Sequence, residues 1–187
     1  MSRIEIRLSG FGGQGIILAA HILGKAAALH DHQHATITQN YGPESRGGAC
    51  SGQVIISDVP VSYPHLTKPH IVVAMSQEAY TKYAGDLVDG GLLIIDEDLV
   101  KPNGGAANAH LFRIPATRIA EKDLKRKMVA NIVMLGCLAA LDASVSADAL
   151  RQAVRSSVPK GTEDFNIQAF ERGYEYGKRL GDVRREA

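Results

Sequence analysis

Four glycines fall within the six residues Gly10-Phe11-Gly12-Gly13-Gln14-Gly15, three of them in the spacing G-x-G-x-x-G. Such a run between a strand and a helix permits a tight turn and close approach of a ligand to the backbone. The unpaired N–H groups at the helix start then attract phosphate. The same glycines could instead serve only to pack the first strand tightly on its helix. A dinucleotide site adds an acid at the end of the second strand, about 20 residues on, to hold the ribose hydroxyls. That stretch reads Thr36-Ile37-Thr38-Gln39-Asn40-Tyr41, and Asp31 comes too early. A self-contained NAD(P)- or FAD-binding protein is therefore the weaker reading.

A second glycine-rich run follows, Asn40-Tyr41-Gly42-Pro43-Glu44-Ser45-Arg46-Gly47-Gly48-Ala49-Cys50. Pro43 fixes a turn, and Gly47 with Gly48 permits backbone conformations closed to other residues. Arg46 has the geometry to pair with a phosphate or carboxylate of a ligand or partner, or with Glu44 inside the loop. These alternatives stay open.

Other chemistry-bearing residues carry less. His30, His32 and His34 alternate, but no carboxylate or cysteine completes a metal pattern, so an exposed helix-to-strand connection is the expectation. Cys50 and Cys137 form no Cys-x-x-Cys pair and cannot hold an iron–sulfur cluster or a zinc ion by themselves. Cys50 reads as a small buried thiol, because no base is tied to it. No acid/base pair is evident, so no catalytic residue is assigned to this chain.

The elements that must position these groups follow from periodicity. Ile4, Ile6 and Leu8 alternate with charged residues, a strand with one buried face. Residues 16–29 have helical spacing, and a short strand is expected at 35–38, followed by a loop over 39–49. Residues 53–57 and 59–63 read as a hairpin turning near Asp58 and Pro60, which makes the sheet mixed. Further strands are expected at 71–74, 92–96 and 110–114, with a helix over 76–84 capped by Ser76. The C-terminal part is helical: 116–127 amphipathic, 129–141 apolar on nearly every side, 147–156, and 163–180. The 129–141 helix must be buried against the sheet or another chain. Residues 182–187 are charged and expected to fray.

The whole is an α/β fold in one domain spanning 1–187: a mixed central sheet, curled if the hairpin bends it, flanked by helices and opening on a Rossmann-like strand–glycine turn–helix. With 187 residues the chain has room for one substantial core. The formal charge of +1 gives no reason to expect nucleic acid or a charged membrane as partner. The apolar runs are strand-sized and no secretory signal opens the chain, so a cytoplasmic location is expected.

Taken in order, several segments resemble the gamma subunit of the 2-oxoacid:ferredoxin oxidoreductases, equivalent to one domain of the single-chain pyruvate enzymes. They are Gly10-Phe11-Gly12-Gly13-Gln14-Gly15-Ile16, Tyr41-Gly42-Pro43-Glu44-Ser45-Arg46-Gly47-Gly48-Ala49, Tyr63-Pro64, Ala74-Met75-Ser76-Gln77-Glu78-Ala79-Tyr80, and Ala130-Asn131-Ile132-Val133-Met134-Leu135-Gly136. Asn166, Ala169-Phe170 and Gly173 complete the set. Phe11 and the segment from Ala74 to Tyr80 are most similar to the 2-oxoglutarate branch, with the branched-chain enzymes close behind. His70 stands where the family often has Asp.

The resemblance implies a reaction in which a 2-oxoacid and coenzyme A give acyl-CoA, carbon dioxide and reduced ferredoxin. It implies thiamine diphosphate, magnesium and iron–sulfur clusters carried mainly by other subunits, with none held firmly here. The implied partners are alpha and beta subunits, a ferredoxin-like delta subunit where one exists, and ferredoxin as electron acceptor. The isolated chain would be inactive, and whether it forms a homodimer is left open. The two glycine loops would face a partner and the coenzyme A path, making Gly10, Gly12, Gly13, Gln14, Gly15, Asn40, Tyr41, Gly42, Pro43, Glu44, Arg46, Gly47 and Gly48 the candidate site residues.

Overall fold

Hydrophobic alternation and helical periodicity resolve, in a computed structural model, into a six-stranded mixed sheet with helices on both faces. Residues 3–41 and 48–186 are described, with side chains to residue 182. The strands are β1 (Arg3–Phe11), β2 (His34–Tyr41), β3 (Ala49–Ser57), β4 (Ile71–Ala74), β5 (Leu92–Asp96) and β6 (His110–Ile114), ordered β2-β3-β1-β4-β5-β6. β1, β4, β5 and β6 run parallel, whereas β3 is antiparallel to both β1 and β2. The helices are α1 (Ile16–Lys25), α2 (Gln77–Tyr83), α3 (Ala116–Arg118), α4 (Ala130–Leu141), α5 (Ala147–Arg155) and α6 (Glu163–Glu186).

The larger core lies on the face where Ile6, Leu8, Val54 and Ile56 meet α1, α4, α5 and α6. The smaller lies on the opposite face, where Val72, Ala74, Leu93 and Ile95 meet Tyr80 and Ala84. β1 therefore has no solvent face, contrary to the expectation from its charged alternation: Glu5 is 4% and Arg7 8% exposed. Both charges are partnered, as burial requires. Glu5 accepts from Arg3 Nε (2.8 Å) and from the backbone N–H groups of Thr67 (2.7 Å) and Lys68 (3.1 Å). Arg7 pairs with Asp86 and lies 4.6 Å from the centre of the Tyr83 ring. At the position where the family often has Asp, His70 Nδ1 accepts the Glu5 backbone N–H at 3.1 Å, a polar contact a carboxylate could also make.

Several expected elements differ. Residues 53–57 belong to β3, but 59–63 form no strand, so there is no hairpin at Asp58. Pro60 and Pro64 lack N–H donors. The neighbouring carbonyls of Tyr63 and His65 accept from Arg3 Nη2 instead of from a strand. The antiparallel part of the sheet comes from β2 and β3, and β2 continues through Tyr41 into what reads as loop. The single helix expected over 116–127 is broken. α3 passes into a π-helical turn (Ile119–Asp123), and Lys125, at φ 57°, stops the run while Arg126 N donates to Ala120 O at 2.8 Å. α6 runs to Glu186, through residues expected to fray.

The apolar helix α4 is buried within the chain, with Ala130 to Leu138 all buried. Its contact with α6 is backbone to backbone. A Cβ added at Gly173 would lie 1.8 Å from the Val133 carbonyl oxygen, and one at Gly136 would lie 2.0 Å from that of Phe170. Gly173→Ala should therefore lower unfolding free energy by about 3 kcal/mol. Gly181→Ala, whose Cβ would meet only Leu141 Cδ2 at 3.9 Å, should be neutral or stabilise by up to about 1 kcal/mol. Urea denaturation of both variants checks the contrast.

Candidate functional site

The C-terminal end of β1 runs straight into the glycine turn, and α1 starts at its far side with Gly15 as N-cap. Gly13 and Gly15 adopt φ values of 94° and 73°, which a side chain would strain. Gln14 locks the turn from within. Its Oε1 accepts the Phe11 N–H at 2.7 Å, and its Nε2 donates to the Met75 carbonyl at 2.9 Å, just past β4. Asn131, in the first turn of α4, donates from Nδ2 to the Gly15 carbonyl at 3.0 Å. That amide occupies the space a Gly15 side chain would need, since a Cβ there would lie 2.4 Å from Asn131 Nδ2. Gly10 is equally confined, its absent Cβ lying 2.4 Å from Gln14 Oε1. Gly13 has nothing within 4 Å, and Gly12 is exposed while its N–H donates to Gly48 O at 3.3 Å.

The turn stands where β1 sends its helix to one sheet face and β4 sends α2 to the other. Open α/β sheets form ligand crevices at such a place. Two clefts open here and share Gly13 and Met128. The larger encloses about 780 Å³ of space, part of it open to solvent, between Gly13, Leu18, Val158, Pro159 and Phe165, with Arg126 at its rim. The guanidinium of Arg126 lies 5.0 Å from the centre of the Phe165 ring. The smaller encloses about 480 Å³ beside Gln14, Met75, Thr117 and Lys127. Beneath it Asp96 is fully buried and accepts from Thr117 N (2.9 Å), Thr117 Oγ1 (2.6 Å) and Asp98 N (3.2 Å). Burial pushes its carboxyl above the usual range, and these hydrogen bonds pull it partly back.

Of the candidate residues, Gly10, Gly12, Gly13, Gln14 and Gly15 form the turn. Asn40 and Tyr41 end β2, exposed and two strands away from β1. Gly42, Pro43, Glu44, Arg46 and Gly47 lie outside the described residues, as does the question of an Arg46–Glu44 pair. His32 and His34 are exposed and His30 is half-buried. Among the described residues no three His, Cys, Asp or Glu side chains converge on a metal position. No described helix is long and apolar enough to cross a membrane. Leu18, Arg126, Met128, Pro159 and Phe165 had not been singled out from sequence. They come from three distant segments, and no local pattern joins them. Asn131 was legible as part of the family-like segment Ala130–Gly136, where it is also a lone amide at the start of an otherwise apolar helix.

The family model for pyruvate ferredoxin/flavodoxin oxidoreductase matches residues 5–176. The chain is 52% identical over 179 residues to the 2-oxoglutarate synthase subunit KorC of Methanocaldococcus jannaschii, covering 95% of this chain and 96% of that one. It is 33% identical over 179 residues to the ketoisovalerate oxidoreductase subunit VorA of Methanothermobacter thermautotrophicus, covering 94% of this chain but 36% of that one. The crystal structure of the keto/oxoacid ferredoxin oxidoreductase gamma subunit from Geobacter sulfurreducens superposes with a TM-score of 0.85 at 42% identity, covering 95% of this chain and 97% of that one.

Both thiols are buried, Cys50 on β3 and Cys137 inside α4, and burial raises both, that of Cys137 to about 12. Iodoacetamide at pH 8 should therefore leave both unmodified in the folded chain and alkylate both in denaturant, as intact mass would show. Gly15→Ala should cost about 2 kcal/mol or more from backbone strain and collision with Asn131. Gly13→Ala, with open space around it, should cost only the strain, about 1–2 kcal/mol. Urea midpoints of the two variants measure the difference.

Proposed function

Because the chain belongs to the pyruvate ferredoxin/flavodoxin oxidoreductase family, we propose that it serves as the gamma-type subunit of a 2-oxoacid:ferredoxin oxidoreductase acting on 2-oxoglutarate. The enzyme would join the acyl group left after decarboxylation to coenzyme A and pass two electrons to ferredoxin. The choice of acid follows the relative at 52% identity, named for 2-oxoglutarate, over the one at 33%, named for ketoisovalerate. Thiamine diphosphate with magnesium would supply the decarboxylation chemistry and iron–sulfur clusters the electron path. The described residues offer no iron–sulfur site, since Cys50 and Cys137 sit apart on β3 and α4, both buried, and no three His, Cys, Asp or Glu among them converge on a metal position. Those groups would then be held by the alpha, beta and ferredoxin-like subunits.

What this chain would contribute is one wall of the coenzyme A entry. The observation that carries this reading is the larger cleft beside Gly13. Its walls are apolar, from Leu18, Val158, Pro159 and Phe165, and a cation stands at the rim in Arg126. Coenzyme A has the matching division, a flexible uncharged arm ending in phosphates. The arm carries two amides and a hydroxyl, for which Asn131, Thr162 and Asn166 also line the cleft. The start of α1 adds the positive end of a helix dipole, and Gly13 lets a ligand approach the backbone. The chain would bind and orient the arm and move no proton.

In the assembled enzyme, Phe165→Ala should raise the KM for coenzyme A roughly tenfold, through lost packing and a released Arg126, and leave the KM for the 2-oxoacid unchanged. Steady-state rates with each substrate varied in turn decide it. Equal shifts in both constants, or none in either, would remove the cleft from the coenzyme A path. A micromolar Kd for NAD(P) on the isolated chain would favour the dinucleotide reading instead.

A further inference from the structure

We infer that residues 122–128 form a docking surface for another subunit of the same oxidoreductase, which presents an apolar pocket for Met128 edged by carboxylates. The inference rests on the subunit reading above and adds to it the place of contact. Met128 is 86% exposed, more than Leu29 (62%), Tyr41 (63%), Val59 (62%) or Tyr63 (60%). A methionine so displayed loses its share of burial unless something covers it, and its flexible thioether suits an irregular pocket.

The residue is also held in place. Lys125 takes a left-handed conformation (φ 57°) that a non-glycine residue adopts at a cost, and Arg126 N is tied to Ala120 O at 2.8 Å. A short 3₁₀ turn, Lys127–Val129, then leads directly into α4, so Met128 stands on a hydrogen-bonded turn continuous with that helix. Met128 lines both clefts, which would place a subunit seated on it at the mouth of each.

Charge selects the kind of partner. Lys122, Lys125 and Arg126 form no ion pair among the described residues, Lys127 pairs only with Glu121, at 3.2 Å, and Asp123 is the segment's one carboxylate, so cations are in excess. Such a rim favours carboxylates opposite. A second copy of this chain is disfavoured, because a two-fold contact through this patch would set four cations against four, with Asp123 and the already paired Glu121 the carboxylates at hand.

The test uses the complete enzyme, co-expressed with a tag on this chain, and reads which subunits co-purify as salt is raised. Met128→Asp should weaken retention of the partner roughly tenfold or more, with the isolated chain still showing a wild-type circular dichroism spectrum and melting transition. Lys125→Gly supplies a variant that cannot fail for want of folding, since glycine suits its backbone. It should melt at or above the wild-type temperature yet release the partner at lower salt. Retention equal to wild type in both variants overturns the inference. So does full retention with a raised KM for coenzyme A, which would give the patch to the small molecule, or an effect confined to self-association of the isolated chain. Because Phe165→Ala is read as a KM in intact enzyme and these variants as retention, each reading can fail alone.

Discussion

The approach of α4 to α6 sets the position of the candidate site. α4 is apolar on all sides, so its own pattern names no preferred neighbour. Glycines supply the choice. Gly136 on α4 and Gly173 and Gly177 on α6 bring backbone close to backbone across the seam, where a single methyl would collide. Once that spacing is fixed, the first turn of α4 can fall only where Asn131 reaches the Gly15 carbonyl. The turn that points Gly13 outward is then held from two sides, by Asn131 and by Gln14. The same placement puts the segment before α4, with Arg126 and Met128, along the cleft. A change deep in the seam should thus be felt at the glycine turn without touching it.

Polar bookkeeping explains why the sheet read wrongly from sequence in one region and correctly in others. β4, β5 and β6 are uniform runs or short alternations bounded by turns, and they form where periodicity places them. β1 alternates apolar with charged residues, which ordinarily marks a solvent face. Here Glu5 accepts the backbone donors of Thr67 and Lys68 while Arg3 takes the carbonyls of Tyr63 and His65. The charges on the strand thus organise the loop that was read as half a hairpin. Only pairing across about sixty residues reveals this, and such pairing leaves no local trace. The start of α3 is set equally non-locally, because Asp96 at the end of β5 accepts from Thr117 N and Oγ1.

The site divides in the same way. The glycine turn was legible because strand, glycines and helix are contiguous, and their spacing carries a physical requirement. The clefts were not, since their walls come from α1, the approach to α4 and the approach to α6. What sequence could offer there was the ordered set of motifs resembling one family, which tied Asn131, Asn166 and Phe170 together before any contact between their elements was visible. Asn166 and Asn131 both line the larger cleft.

The topology also decides what the glycine motif is worth. In a dinucleotide fold the strand following the glycine helix lies beside the first strand, so an acid at its end reaches the ribose. In this sheet β3 is inserted between β1 and β2 and runs antiparallel to both. The C-terminal end of β2 therefore stands two strand spacings, about 10 Å, from β1. Its last residues, Gln39, Asn40 and Tyr41, offer no carboxylate. The glycines themselves are divided in their use. Gly10 and Gly15 are consumed by internal packing against Gln14, Ile16 and Asn131, whereas Gly13 has open space around it. The spacing that looks like a nucleotide fingerprint is thus half a packing device and half an exposed backbone corner. An exposed corner at the mouth of an apolar cleft suits one wall of a shared site, completed by a neighbouring subunit, better than a pocket that closes around a nucleotide unaided.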